Sequence, residues 1–169
     1  ADYLVCTVEG ASEIEYLTAK EFFEAVKLKG RLHHIVVSKE NAFNVAREIL
    51  PRLKEPLMDP AIVLSYMVSR KAKELGHDLV ISGDGADVAF GLLPFGRGDL
   101  RTLAIWKTIE PAEMLGMKAL LPYSLPALQI WAENYVTNEQ RKNKIVLRNF
   151  AKSIGIPQIV VNMKKMGWV

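Results

Sequence analysis

The sequence has few of the features that mark secreted, membrane-spanning or nucleic-acid-binding proteins. It holds one cysteine, Cys6, in 169 residues, so no internal disulfide can form and a reducing compartment, the cytoplasm, is expected. No apolar run is long enough to cross a bilayer, and no signal peptide is evident. Basic residues alternate with acidic ones at a net charge of +3, so neither a nucleic-acid partner nor a membrane is expected.

What the sequence does contain suits an ordinary globular domain. Half of the residues are hydrophobic and 24% are charged, a composition that can fill one core. Cys6 lies in an apolar run and is predicted to be a small core residue. The chain opens directly on strand-like residues, so we expect one domain over residues 1–169 whose sequence starts partway through the fold.

Strand-like and helix-like segments alternate in the first half of the chain. The apolar, strand-like segments are residues 3–8, 34–37 and 79–81. Between them, apolar residues recur at helical spacing. Ser12 and Ser38 are predicted to cap two of these helices, Asp59 a third, and Gly30 and Gly76 to end the first and third. This alternation predicts an α/β fold, a Rossmann-like parallel sheet with flanking helices.

The second half is predicted to be mainly helical. Residues 92–100 carry a proline and two glycines and are predicted to form a loop. A short irregular or helical piece follows over residues 106–117. Ser124 is predicted to cap a helix that runs to Trp131, and residues 144–154 are predicted to form another.

The most distinctive segment, S-G-D-G-A-D at residues 82–87, follows the third predicted strand. Ligands of parallel sheets bind beyond the carboxyl ends of the strands, and glycines let the backbone approach an anion closely. Asp84 and Asp87 would need a cation between them and that anion, and Mg²⁺ held by carboxylates and phosphates is the ordinary solution. A tight strand-to-helix turn capped by aspartate is the alternative.

This segment resembles the S-G-E-G-A-D-E-x-F-G-G motif of glutamine-dependent asparagine synthetases. Further segments are similar to the same family in the same order along the chain. They are residues 3–9, 32–37, 66–76, 116–123, 145–151 and 156–157. The resemblance implies the adenine-nucleotide α-hydrolase (ATP pyrophosphatase) fold. It also implies ATP and Mg²⁺, an amino-acid substrate activated as an acyl-adenylate, and ammonia that displaces AMP.

The resemblance also implies roles for individual residues. Asp87 would share Mg²⁺ with an upstream aspartate, and Asp84 would lie near the substrate carboxylate and ammonia. Lys164 would neutralise the charge of the adenylation transition state. The expected nucleotide contacts are Ser82, Gly83, Gly85 and the backbone of Thr7 and Val8.

Several features of the family are missing or changed. The pyrophosphate loop S-G-G-x-D-S and the glutaminase domain are not in the sequence, so ammonia could be free or come from a separate glutaminase subunit. Val88, Lys118 and Leu120 replace charged residues of the family motifs, so an acceptor other than aspartate is possible. The alternatives are a degenerate ATP- or AMP-binding module and a related sulfur transferase or β-lactam synthetase. A homo-oligomer is possible.

Overall fold

The computed structural model describes residues 1–10, 13–54, 59–91 and 98–162, and only the backbone of residues 98–105. Each described strand is followed by one or more helices, and only helices follow β4 among the described residues. The strands are β1 (Asp2–Val8), β2 (Arg31–Val37), β3 (Leu79–Ile81) and β4 (Lys118–Leu120). The helices are α1 (Ile14–Ala25), α2 (Lys39–Ile49), α3 (Ala61–Glu74), α4 (Ala86–Phe90), α5 (Gly98–Met114), α6 (Pro126–Tyr135), α7 (Asn138–Arg141), α8 (Ile145–Ser153) and α9 (Gln158–Asn162).

The predicted α/β fold class is confirmed, with parallel pairing throughout the described strands. β1 pairs with β2 in a register that sets Cys6 opposite Ile35, and β3 pairs with β4. Parallel neighbours need a crossover, which α1 supplies between β1 and β2. Within the described residues the strands form two separate pairs instead of the one sheet that was expected.

The second half is mainly helical, as predicted, but it also contains one short strand, β4, which was not predicted. It has three residues, and the side chains of Lys118 and Leu120 are both exposed. A segment this short carries no apolar run or alternation by which sequence could reveal it. Its partner β3 decides its conformation.

Several predicted helix boundaries were wrong. α1 ends at Ala25, because Val26 caps it and Lys27 takes a left-handed backbone (φ 53°). Gly30 instead allows the backbone of Ala1 to approach closely, since a Cβ at position 30 would collide with the Ala1 carbonyl. The predicted cap Ser12 lies outside the described residues, whereas Ser38 does cap α2 by accepting from Asn41 N–H at 3.1 Å.

The second half shows two further boundary differences. α5 begins at Gly98 and runs to Met114, so it includes the end of the predicted loop, and the piece predicted to be irregular or helical over residues 106–117 is helical as far as Met114. α6 begins at Pro126, because Leu125 remains extended and Ser124 belongs to a 3₁₀ turn. Proline at the first helical position suits this start.

The largest core cluster packs α2 and α3 against the first strand pair. Its fully buried members include Val37, Ile49 and Ile62. Phe43 of α2 is apolar but does not join the cluster, because 63% of it is exposed and its ring lies under the Arg47 guanidinium. Among the described residues no helix is long and apolar enough to cross a membrane.

Cys6 packs against this cluster, as the sequence predicted. Burial raises the pKa of its thiol to about 11. The thiol is therefore protonated at neutral pH and lacks the thiolate character of a reactive cysteine.

Candidate functional site

The S-G-D-G-A-D segment forms the turn between β3 and α4, and we call residues 82–85 the motif turn. Ser82 N–H donates to the Leu120 carbonyl at 3.1 Å, so the β3–β4 pairing continues into the turn. Ser82 Oγ donates to Asp84 Oδ2 at 2.9 Å and accepts from Asp84 N–H at 3.3 Å. These local bonds fix the turn at the carboxyl end of the strand, where ligands of parallel sheets bind.

The two glycines of the motif turn meet different requirements. Gly85 has a left-handed backbone (φ 93°), and a Cβ there would collide with Ser124 Oγ. A Cβ at position 83 would meet no other atom within 4 Å. Packing within the protein therefore demands glycine at position 85, whereas the space at Gly83 is open to a bound molecule.

The carboxylate of Asp84 contacts α5 on both of its oxygens. Thr108 Oγ1 donates to Oδ2, and Lys107 Nζ lies 3.6 Å from Oδ1. Lys107 also lies 3.3 Å from Asp59 Oδ2, just before α3. Sequence reasoning missed Lys107, Thr108 and Asp59 as site residues, because no local pattern links them to the motif.

Asp87 is also paired with a lysine that the sequence did not single out. Lys144 Nζ lies 2.7 Å from Asp87 Oδ1, and both side chains are partly exposed. Asn143 and Lys144 both have left-handed backbones (φ 60° and 53°). Consecutive residues in this conformation are uncommon outside glycine, and they turn the start of α8 toward the motif helix α4.

A buried arginine holds α4 in place. Arg141 is 4% exposed, and its guanidinium donates to the carbonyls of Ala89 and Ala132, the latter at 2.7 Å. No local pattern indicated that Arg141 would be buried, since it lies in a polar stretch. The bonds join the carboxyl ends of α4 and α6 and so position the helix that carries Asp87.

The predicted adenine-contacting residues lie at the carboxyl end of β1. Thr7 is buried, and its hydroxyl lies 2.7 Å from His34 Nε2. The His34 ring stacks on Tyr16 with ring centres 3.9 Å apart. Val8 borders an apolar cavity of about 280 Å³ whose other walls include Phe43. A cavity of this character suits a planar ring. The predicted catalytic Lys164 lies outside the described residues.

The side chains around the motif turn suit a cation that takes few of its ligands from the protein and the rest from a bound molecule and water. Among the described residues no three histidine, cysteine or acidic side chains form a metal cluster. Asp87 is partly exposed beside the turn, and its Oδ1 is held by an ammonium group. Mg²⁺ commonly uses one or two carboxylates together with substrate phosphates and water. Asp87 could serve as such a ligand, with nucleotide phosphates supplying the rest.

A large apolar gap separates the two strand pairs. Its volume is about 590 Å³, and its walls come from β1, β3, α1 and α3. Leu4 and Val80 lie on opposite strands at its edge, and Val68 and Phe22 line its helical walls. Among the described residues, β1 and β3 each have one strand partner, and they do not pair with each other.

Comparison with known proteins assigns the chain to a family. Residues 5–153 match the model of the family described as asparagine synthase. The chain belongs to the asparagine synthase family. The match runs from β1 to α8, so the motif turn, Lys107 and Lys144 all lie within the asparagine synthase region.

Curated relatives agree with this assignment over a shorter stretch. The chain is 40% identical over 86 residues to the "Putative asparagine synthetase (glutamine-hydrolyzing)" of Mycobacterium bovis and to that of Mycobacterium tuberculosis. The aligned part is 49% of this chain and 12% of each relative. These relatives are therefore much longer than the asparagine synthase domain described above.

Proposed function

We propose that the protein is an ATP-dependent ligase that forms an amide from a carboxylic acid and ammonia. The observation that carries this proposal is the motif turn. It presents the Asp84 carboxylate and an open glycine at the carboxyl end of a parallel strand, and Asp87 follows in α4, in a chain of the asparagine synthase family. Glutamine hydrolysis would lie outside the residues described, on a separate domain or subunit.

The proposed reaction has two balanced steps. A carboxylate oxygen of the acceptor attacks the α-phosphorus of ATP, the bond to the β-phosphate oxygen breaks, and pyrophosphate leaves. Ammonia then attacks the acyl carbon, AMP leaves with the carbon–oxygen electron pair, and the nitrogen loses a proton. Both steps gather negative charge on phosphate oxygens, which fixed cations stabilise.

Different residues of this chain are proposed to bind the nucleotide, to contact the acceptor and to neutralise charge in the reaction. Gly83 and Gly85 bring backbone amides to the phosphate and ribose. Ser82, whose own N–H is bonded to the Leu120 carbonyl, lies beside them, and the cavity beside Val8 holds adenine. Thr7 is committed to His34 through its hydroxyl, so its role is to shape that wall through its backbone. Asp84 faces the acceptor and ammonia, and Lys164 is the proposed charge-neutralising residue of the adenylation step.

Asp87 is the proposed protein ligand of Mg²⁺. When bound, the ion would neutralise phosphate charge during pyrophosphate release. The ammonium of Lys144 neutralises Asp87 in its absence. The Asp87 carboxylate therefore has a cationic partner whether or not Mg²⁺ is bound, which reduces its electrostatic repulsion with the carboxylate of Asp84.

We propose that a further strand of the full-length protein fills the gap between β1 and β3. Within the part of the chain that the structure describes, each of these strands has one edge without a strand partner, and exposed strand edges favour pairing with a further strand. A parallel strand preceding residue 1 would satisfy both edges and join the two pairs into one sheet. The loop after that strand would reach the motif turn, because the carboxyl ends of parallel strands share one side.

A degenerate nucleotide-binding module is the second candidate. The pairing of Asp84 with Lys107 and of Asp87 with Lys144 favours it, because both motif acids already have cationic partners. Such a module would bind ATP or AMP without releasing pyrophosphate. The cytoplasmic location, the ammonia source and any homo-oligomer remain predictions.

Pyrophosphate release separates the two candidates. We expect the full-length protein to release pyrophosphate from ATP with Mg²⁺, ammonium and a carboxylic acid from a panel that includes aspartate. Asp87→Ala and Lys164→Ala should abolish it, whereas Asp78→Asn, at an exposed position before β3, should not. ATP binding without pyrophosphate from any acid would favour the module, and stimulation by tRNA would favour a sulfur transferase.

A further inference from the structure

One ammonium group lies between two carboxylates beside the motif turn. Lys107 Nζ is 3.3 Å from Asp59 Oδ2 and 3.6 Å from Asp84 Oδ1. The Lys107 side chain is 22% exposed, so water screens these pairs less than it screens pairs on the open surface. The three residues come from distant parts of the sequence, and the fold brings them together.

The two oxygens of Asp84 have different partners. Oδ2 accepts from Ser82 Oγ and Thr108 Oγ1, whereas Oδ1 faces Lys107. A carboxylate bound in this way keeps one orientation and directs its remaining lone pairs to one side. Orientation of this kind is what a group that contacts a substrate requires.

We propose that Lys107 is a positioning residue that fixes the Asp84 carboxylate for contact with the acceptor and ammonia. This inference rests on the proposed ligase function and adds a residue that the sequence motif does not contain. Asp59 holds the other side of the ammonium, and its Oδ1 also accepts from the N–H of Ala61, the first residue of α3, at 2.9 Å, although Pro60 and not the predicted Asp59 is the cap position. The start of α3 thereby helps to set the orientation of Asp84.

If Lys107 served only to hold α5 in place, its removal would shift that helix. α5 is also tied to the segment before α3 by Lys54, whose N–H donates to Glu110 and whose Nζ lies 2.7 Å from Glu113 Oε2. These contacts do not involve the motif turn. Removal of Lys107 alone should therefore leave α5 in place and release only the Asp84 carboxylate from its fixed orientation.

The test compares Lys107→Met with Lys107→Arg in the full-length protein. We expect Lys107→Met to lower kcat for pyrophosphate release about 10²-fold, the usual effect of a misplaced reacting group. KM for ATP should stay unchanged, and Lys107→Arg should recover most of the rate. The matched control is Lys54→Met. It removes a lysine that pairs with Glu113 of α5, away from the motif turn, and should leave kcat unchanged. Unchanged kcat in Lys107→Met, or no recovery in Lys107→Arg, would overturn the inference.

A second measurement needs no substrate. In a crystal structure of Lys107→Met, the Asp84 carboxylate should leave its contacts with Ser82 Oγ and Thr108 Oγ1. If it keeps both contacts, Lys107 does not position it and the inference is wrong. If the wild type releases no pyrophosphate, the proposed ligase function fails, and this structural comparison still decides the role of Lys107.

Discussion

Lys144 Nζ lies 2.7 Å from Asp87 Oδ1, on the carboxylate proposed to bind Mg²⁺. The ammonium and a divalent cation must therefore compete for this group. Exposed ion pairs contribute about 0–1 kcal/mol, so we expect Lys144→Gln to tighten Mn²⁺ binding a few-fold in the absence of nucleotide. Electron paramagnetic resonance of free Mn²⁺ measures this affinity.

Asp87→Asn is the control for that measurement, because it removes the charge for which both cations compete. It should weaken Mn²⁺ binding in the wild-type and in the Lys144→Gln background alike. Equal affinity of wild type and Lys144→Gln for Mn²⁺ would show that the ion binds elsewhere.

The gap between β1 and β3 makes a prediction about backbone hydrogen exchange. In the full-length protein a filling strand would accept hydrogen bonds from amides on the unused edge of each strand. We expect amides along both edges, including alternate residues of β1, to exchange far more slowly than those of an open edge. Fast exchange on the β3 side would contradict the proposed strand.

The side chain of Asp2 should make stability depend on pH. It is 7% exposed, and Arg31, His33 and His77 all bond its oxygens. The hydrogen bonds with His33 and then His77 lower its pKa below the ordinary value near 4. The contribution of the ionised Asp2 carboxylate to the free energy of unfolding is therefore complete above about pH 4. It is lost as the pH falls toward the lowered pKa.

The corresponding experiment is urea unfolding of Asp2→Asn at several pH values. We expect the variant to unfold at lower urea than wild type at pH 6, with the difference shrinking as the pH is lowered through 4 to 2. Asp78→Asn is the matched control, because its side chain is exposed at a neighbouring strand start. A difference that stays constant with pH would mean that the charge of Asp2 is not the cause.

Arg141 should be more important for stability than its place in a polar stretch suggests. Arg141→Met leaves the carbonyls of Ala89 and Ala132 without this donor. Buried groups that lose a charged partner cost about 3 kcal/mol of unfolding free energy. Arg52→Met, at an exposed arginine, should cost less than about 1 kcal/mol. Similar losses in the two variants would show that the buried bonds contribute little.

Local patterns predicted the first half of the fold better than the second. β1, β3 and the cap at Ser38 follow from apolar runs and side-chain chemistry that act over a few residues. β4 was missed because its three residues carry no local pattern and its conformation depends on pairing with β3. The start of α5 was missed because Gly98 belongs to a segment whose glycines and proline are typical of a loop. The exposed face of Phe43 likewise depends on which neighbours cover α2.

The motif predicted two acids of the candidate site, but it could not reveal their partners. Asp84 and Asp87 follow from residue types at fixed spacing, and such spacing is visible in sequence. Lys107 and Lys144 lie 23 and 57 positions from these acids, and ammonium groups are common on every surface. Only a specific chain path can select two of them.

The order of residues by itself determined the fold class, the motif turn and its place after a strand, because hydrophobic periodicity and glycine chemistry are local. Tertiary structure alone decided the electrostatics of the site. Charges interact through space over a few ångströms, and folding sets those distances between residues that are remote along the chain.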